Sequence, residues 1–70
     1  RRELREIIEK AVSKLPIEYK TALILREFED LQYEEIAKIL KVSVGTVKSR
    51  IFRARKLLAE HLKEYREILK

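Results

Sequence analysis

Seventy residues hold a single proline, Pro16, and a single glycine, Gly45, so the chain has almost nothing with which to break a helix. Its apolar residues recur at helical rather than alternating spacing, which predicts an all-α fold. Leu4, Ile7, Ile8, Ala11, Val12 and Leu15 step by threes and fours, giving a first amphipathic helix over about 3–14. Proline disfavours helical geometry in the residue before it, yet suits a first helical turn, where its missing N–H costs nothing. Pro16 therefore closes the first helix and opens a second, expected over about 16–29, with Tyr19, Ala22, Leu23, Leu25 and Phe28 along it. Asp30-Leu31-Gln32 connects to a short third helix over 33–40, whose buried set is Ile36, Ala37 and Leu40. Lys41-Val42-Ser43 turns the chain again. Ser43 is a good N-cap for the fourth helix, because its hydroxyl can accept from an orphan N–H near Gly45 or Thr46. That helix is expected to run over about 44–66 without interruption. Tyr19, Phe28, Tyr33 and Tyr65 are expected in the core or at its edge. Connectors this short imply one compact four-helix domain spanning 1–70. The opening Arg1-Arg2 and the lack of any Met suggest a piece of a longer protein.

Charge is distributed unevenly along this frame. Residues 1–40 carry eight Lys and Arg against nine Asp and Glu, whereas residues 41–70 carry nine against three. The last thirty residues thus carry +6 and the first forty −1, giving the net +5, and between Lys41 and Ala59 there are six basic residues and no acid. Such asymmetry points to a polyanion, either nucleic acid or an anionic membrane surface, over the alternative of a merely solvated basic face. No apolar run is long enough to cross a membrane, so membrane insertion is not expected. The absence of cysteine excludes disulfides and thiolate metal sites, and fits a cytoplasmic location.

The fourth helix carries the chemistry. At about 100° per residue, Ile51, Ala54, Leu58 and Leu62 fall near Val47 and form one apolar stripe facing the core. The opposite side gathers Gly45, Ser49, Phe52, Arg53 and Lys56, with Thr46 and Lys48 at its edges and Arg50 and Arg55 on the flanks. An aromatic ring on the solvent side, between a small hydroxyl residue and several cations, is poorly explained by stability. A DNA major groove explains it: Arg or Lys pairs with guanine edges, Ser or Thr with several bases, and Phe touches a thymine methyl. Ser43, Gly45, Thr46, Arg50, Arg55 and Lys56 are candidates for backbone contact or support, where phosphates position the protein without reading sequence. Gly45 and Thr46 lie where the helix N-terminus favours a phosphate. A short helix, a tight turn and a longer basic helix make a helix-turn-helix over 33–62.

Catalysis finds little support. His61 is the lone histidine and stands among Leu58 and Leu62, and Glu34 and Glu35 are adjacent residues that point apart on a helix. Neither a phosphate-cradling glycine loop nor a catalytic or metal-ligating cluster is present, so no enzyme activity, cofactor, metal or small-molecule substrate is expected.

Leu15-Pro16, Tyr33-Glu34-Glu35-Ile36-Ala37 and the run from Val44 through Arg55 together resemble region 4 of bacterial RNA polymerase sigma factors, in the extracytoplasmic-function (group IV) subfamily. The likeness covers essentially the whole chain, and its specific part is Val44-Gly45-Thr46-Val47-Lys48-Ser49-Arg50 with the basic helix that follows. The resemblance implies a winged-helix-like domain of the sigma region 4 type without a sheet, which reads the −35 promoter element in double-stranded DNA. Carried onto matching positions, it implies Lys48, Ser49, Phe52 and Arg53 as the base-reading residues, with Thr46, Arg50 and Arg55 as backbone contacts or supports. It implies docking on the β flap of RNA polymerase core and masking by an anti-sigma factor. Exposed parts of the second helix, with Leu57 and Leu69, are candidates for the polymerase-facing surface. Two departures stand out. Many relatives have Gly where this chain has Lys41, a position expected to be left-handed, at a cost of roughly 1 kcal/mol. Gln32 replaces the Ser or Thr that often caps the third helix, so that cap is expected to be weaker. Two other readings stay open: a response-regulator type of helix-turn-helix output domain, which shares the Thr46-Val47-Lys48 turn, and a protein-interaction module that binds no DNA.

Overall fold

A computed structural model describes residues 2–65, and its architecture is all-α. Helix α1 spans Arg2–Ser13, α2 Ile17–Glu27, α3 Tyr33–Leu40 and α4 Val44–His61, followed by a 3-10 turn at Lys63–Tyr65. The apolar stripes meet in two clusters that share α4. Ala22 of α2, Ile36 and Ala37 of α3, and Val47 and Ile51 of α4 form one, which locks the helix-turn-helix onto α2. Val12, Leu15, Leu23 and Ala54 form the other, which ties α1 to the middle of α4. Leu23, Ile36, Val47 and Ile51 are the largest fully buried side chains, and no polar side chain is buried among the described residues. Ala22 and Ala54 are completely covered, so small side chains sit where helices approach closely and any added bulk would strain the contact.

The helix ends show where local chemistry differs from the simplest expectation. Pro16 lies at the N-cap of α2 with extended backbone (φ −55°, ψ 145°), so the helix begins at Ile17 rather than at the proline. The Pro16 carbonyl still accepts the first helical bond, from the Lys20 N–H at 2.8 Å. The other end of α2 comes two residues earlier than expected. Asp30 adopts a left-handed conformation (φ 56°), and the Leu31 N–H returns to the Leu25 carbonyl at 3.0 Å. That early turn leaves Phe28 57% exposed, not in the core or at its edge as its helical spacing suggested.

Between α3 and α4, Lys41 is left-handed (φ 59°, ψ 46°), as expected for this turn. The turn closes when the Val42 N–H bonds the Ala37 carbonyl at 3.1 Å. The N-terminus of α3 is better held than Gln32 alone would allow, because the Glu35 carboxylate accepts from the Gln32 N–H at 2.8 Å. Helix α4 stops at His61, short of the expected 44–66. Leu62 caps it, and its N–H is shared between the carbonyls of Leu58 and Ala59, the tightening that marks a fraying helix end. Leu57 and Leu58 are the last side chains of α4 packed against a core cluster, and helical propensity without packing does not sustain a helix in water. Arg66 and Leu69 lie outside the described residues.

Candidate nucleic-acid interface

Ser43 sets the direction of α4. Its hydroxyl oxygen accepts from the Thr46 N–H at 3.0 Å and donates to Thr46 Oγ1 at 3.0 Å. Both residues are thereby committed to the cap, which fixes the angle at which the helix leaves the turn. With Val47, Ile51 and Ala54 buried beneath it, the rotation of α4 about its axis is determined by packing. The opposite face must point to solvent.

That face carries the residues singled out in the sequence. Gly45, Lys48, Ser49, Phe52, Arg53 and Lys56 are all exposed, and Thr46 and Arg50 are half-buried on its borders. Phe52 is 68% exposed and joins neither core cluster. Gly45 is likewise unexplained by folding. Its φ is ordinary, and a Cβ built there would meet only Ser43 Oγ at 3.8 Å, a normal contact.

Arg55 is differently engaged. Its guanidinium forms an ion pair and hydrogen bond with the Glu27 carboxylate at the end of α2. That bond is the main cause of a guanidinium pKa pushed above its ordinary value. Slight burial opposes the shift, and the Glu27 charge and the neighbouring Tyr33 add to it. Arg55 thus clasps α4 to α2 at one flank. Glu27 lies too far away in the chain for helical periodicity to have paired it with Arg55.

Two further residues escaped the sequence reading. Tyr33, the first residue of α3, presents its ring to the Arg26 guanidinium at 5.1 Å and to the Lys48 ammonium at 5.8 Å. Arg26 is held in turn by a 2.9 Å bond from its Nη1 to the Leu31 carbonyl. Away from this face, Leu4, Ile8, Val12, Ile24 and Phe28 border an open apolar groove between α1 and α2. Among the described residues no group of three or more His, Cys, Asp or Glu is placed to hold a metal ion, and no helix is long and apolar enough to cross a membrane.

Residues 5–58 match the family model for sigma-70, region 4. The chain belongs to the sigma-70 region 4 family. Every candidate residue from Ser43 to Lys56 lies inside the matched stretch, which ends at Leu58, where α4 loses its core partners. An RNA polymerase sigma-H factor of Pseudomonas aeruginosa is 47% identical over 62 residues, covering 89% of this chain and 32% of that protein. ECF RNA polymerase sigma-E factors of Haemophilus influenzae and Escherichia coli are 52% and 50% identical over 56 residues, covering 80% of this chain and 30% and 29% of those proteins. The chain spans about a third of the length of these relatives. Membership in the sigma region 4 family separates it from the response-regulator output domains that share its Thr46-Val47-Lys48 turn.

Proposed function

We propose that this chain is the C-terminal promoter-recognition domain of an alternative sigma factor. It reads the −35 element of double-stranded DNA with α4 in the major groove, and thereby directs RNA polymerase to initiate transcription in the cytoplasm. The observation that carries the reading is Phe52, held 68% exposed amid cations on the face opposite a fully packed stripe. Lys48, Ser49, Phe52 and Arg53 read base edges and thymine methyls. Lys56 and Arg50 meet phosphates on either side, and the bare backbone at Gly45 lets a phosphate approach the positive end of α4. Ser43, Thr46 and Arg55 act as supports: the first two cap the helix, and Arg55 fixes its flank to Glu27. The domain binds and positions, and performs no catalysis.

Polymerase core, through its β flap, and an anti-sigma factor are the protein partners. The groove centred on Phe28, with exposed Ile17 further along α2, offers the apolar surface for them. Leu57 is half-buried and packs against the second cluster. That same groove is what favours the alternative, a module that binds proteins and no DNA.

Binding of the chain to a −35-like duplex and to a scrambled duplex of equal composition, at several salt concentrations, tests the proposal. Tighter binding to the −35-like duplex, on top of a salt-dependent term common to both, supports it. No binding to either duplex at low salt leaves only the protein-interaction module.

A further inference from the structure

Lysine is among the most mobile of the proposed base-reading side chains, and ordering its four-carbon stem opposes binding. In this fold the stem of Lys48 is already directed, because its ammonium lies 5.8 Å from the centre of the Tyr33 ring. The ring is itself anchored. Tyr33 is half-buried at the start of α3 and packs against the first core cluster. The Arg26 guanidinium, tied to the Leu31 carbonyl, lies 5.1 Å from the same ring. A sequence of contacts therefore runs from the α2–α3 connector through Arg26 and Tyr33 to a residue on the exposed face of α4. The arrangement gathers Arg26 and Lys48 at one ring, with Arg55 also beside Tyr33, and these cations repel one another. It becomes favourable when a polyanion lies alongside and when a defined Lys48 orientation is of use.

We propose that Tyr33 is a positioning residue for base recognition, its ring holding Lys48 in the orientation that reads one base pair. This rests on the DNA-reading role of α4 argued above, and adds to it a residue outside the recognition helix that sets specificity without touching a base. The attraction between a partly exposed ammonium and an aromatic face corresponds to a preference of about two- to fivefold.

The test uses the intact chain and a pool of duplexes randomised across the recognition site, with preference at each position read by sequencing the bound fraction. Lys48→Ala defines the position that Lys48 reads. Tyr33→Leu is expected to lower preference at that position by about two- to fivefold while leaving the Arg53-dependent position unchanged, and Tyr33→Phe, which keeps the ring, is expected to restore it. In a Lys48→Ala background, Tyr33→Leu should cost nothing further at that position. A parallel measurement requires no variant to fold: in the unbound chain, the Lys48 side-chain methylene protons should be shifted upfield by the ring. Ordinary methylene shifts, equal loss at every position in Tyr33→Leu, or loss in Tyr33→Phe would overturn the inference while leaving the reading of α4 intact. Failure of Lys48→Ala to alter any preference would overturn the base-reading role of Lys48 and this inference with it.

Discussion

Gly45 weakens the helix that contains it, and nothing packed around it requires a glycine there. Replacing it with alanine is expected to stabilise the chain by up to about 1 kcal/mol, seen as a higher melting temperature. The same change should weaken duplex binding, because the new methyl stands between the start of α4 and an approaching phosphate. Arg53 and Lys56 are both exposed cations on one face, yet their expected effects differ in kind. Arg53→Ala should cost about 1–3 kcal/mol on a cognate site and relax preference at one base pair. Lys56→Ala should weaken all sequences alike and reduce the salt slope by about one unit. Titrations of both variants against cognate and scrambled duplexes at several salt concentrations separate the two roles. At this scale the sequence was most legible where the argument needed only the angle between residues on one helix. The outward direction of Phe52 follows from the 3.6-residue period. The contacts of Arg55 with Glu27, and of Tyr33 with Arg26 and Lys48, depend on how separate helices meet, and no spacing rule supplies that.

Among the elements, the turn between α3 and α4 holds the clearest local strain. Lys41 pays the left-handed penalty of a residue with a Cβ (φ 59°), so Lys41→Gly is expected to raise stability by about 1 kcal/mol, measured as a higher denaturant midpoint. Asp30 shares the conformation but tolerates it better, since its short polar side chain suits a left-handed turn. The Arg55–Glu27 clasp joins two elements at the surface, where such pairs contribute at most about 1 kcal/mol. Its raised guanidinium pKa means that this contribution is fully present below the ordinary arginine value and is lost only as pH climbs through the still higher folded value. The stability difference between the wild-type chain and Glu27→Gln should therefore stay constant between neutral and mildly alkaline pH in denaturant titrations. Helix type and order were legible from period and punctuation, and Ser43 was legible as a cap. The ends of α2 and α4 were not: the first is set by Asp30 turning left-handed, the second by where the core runs out. Phe28 fell outside the core for the first of these reasons.

Taken whole, the molecule separates its surfaces by charge and polarity. The positive excess lies in the last thirty residues, the apolar groove lies between α1 and α2, and α4 contributes to both core clusters while presenting its cations outward. A domain this small makes few phosphate contacts, so its isolated affinity for DNA is expected to be weak and to fall by about 0.9 logarithmic units per contacted phosphate for each tenfold rise in salt. The outward face of α4, with Phe52 at its middle, is expected to enter duplex DNA. Chemical-shift mapping by NMR during titration with a −35-like duplex at low salt examines this contact residue by residue. Large shifts are expected at Gly45, Lys48, Ser49, Phe52, Arg53 and Lys56, with the groove residues Leu4, Ile8 and Phe28 left unmoved. Shifts confined to that groove, or none along α4, would contradict it.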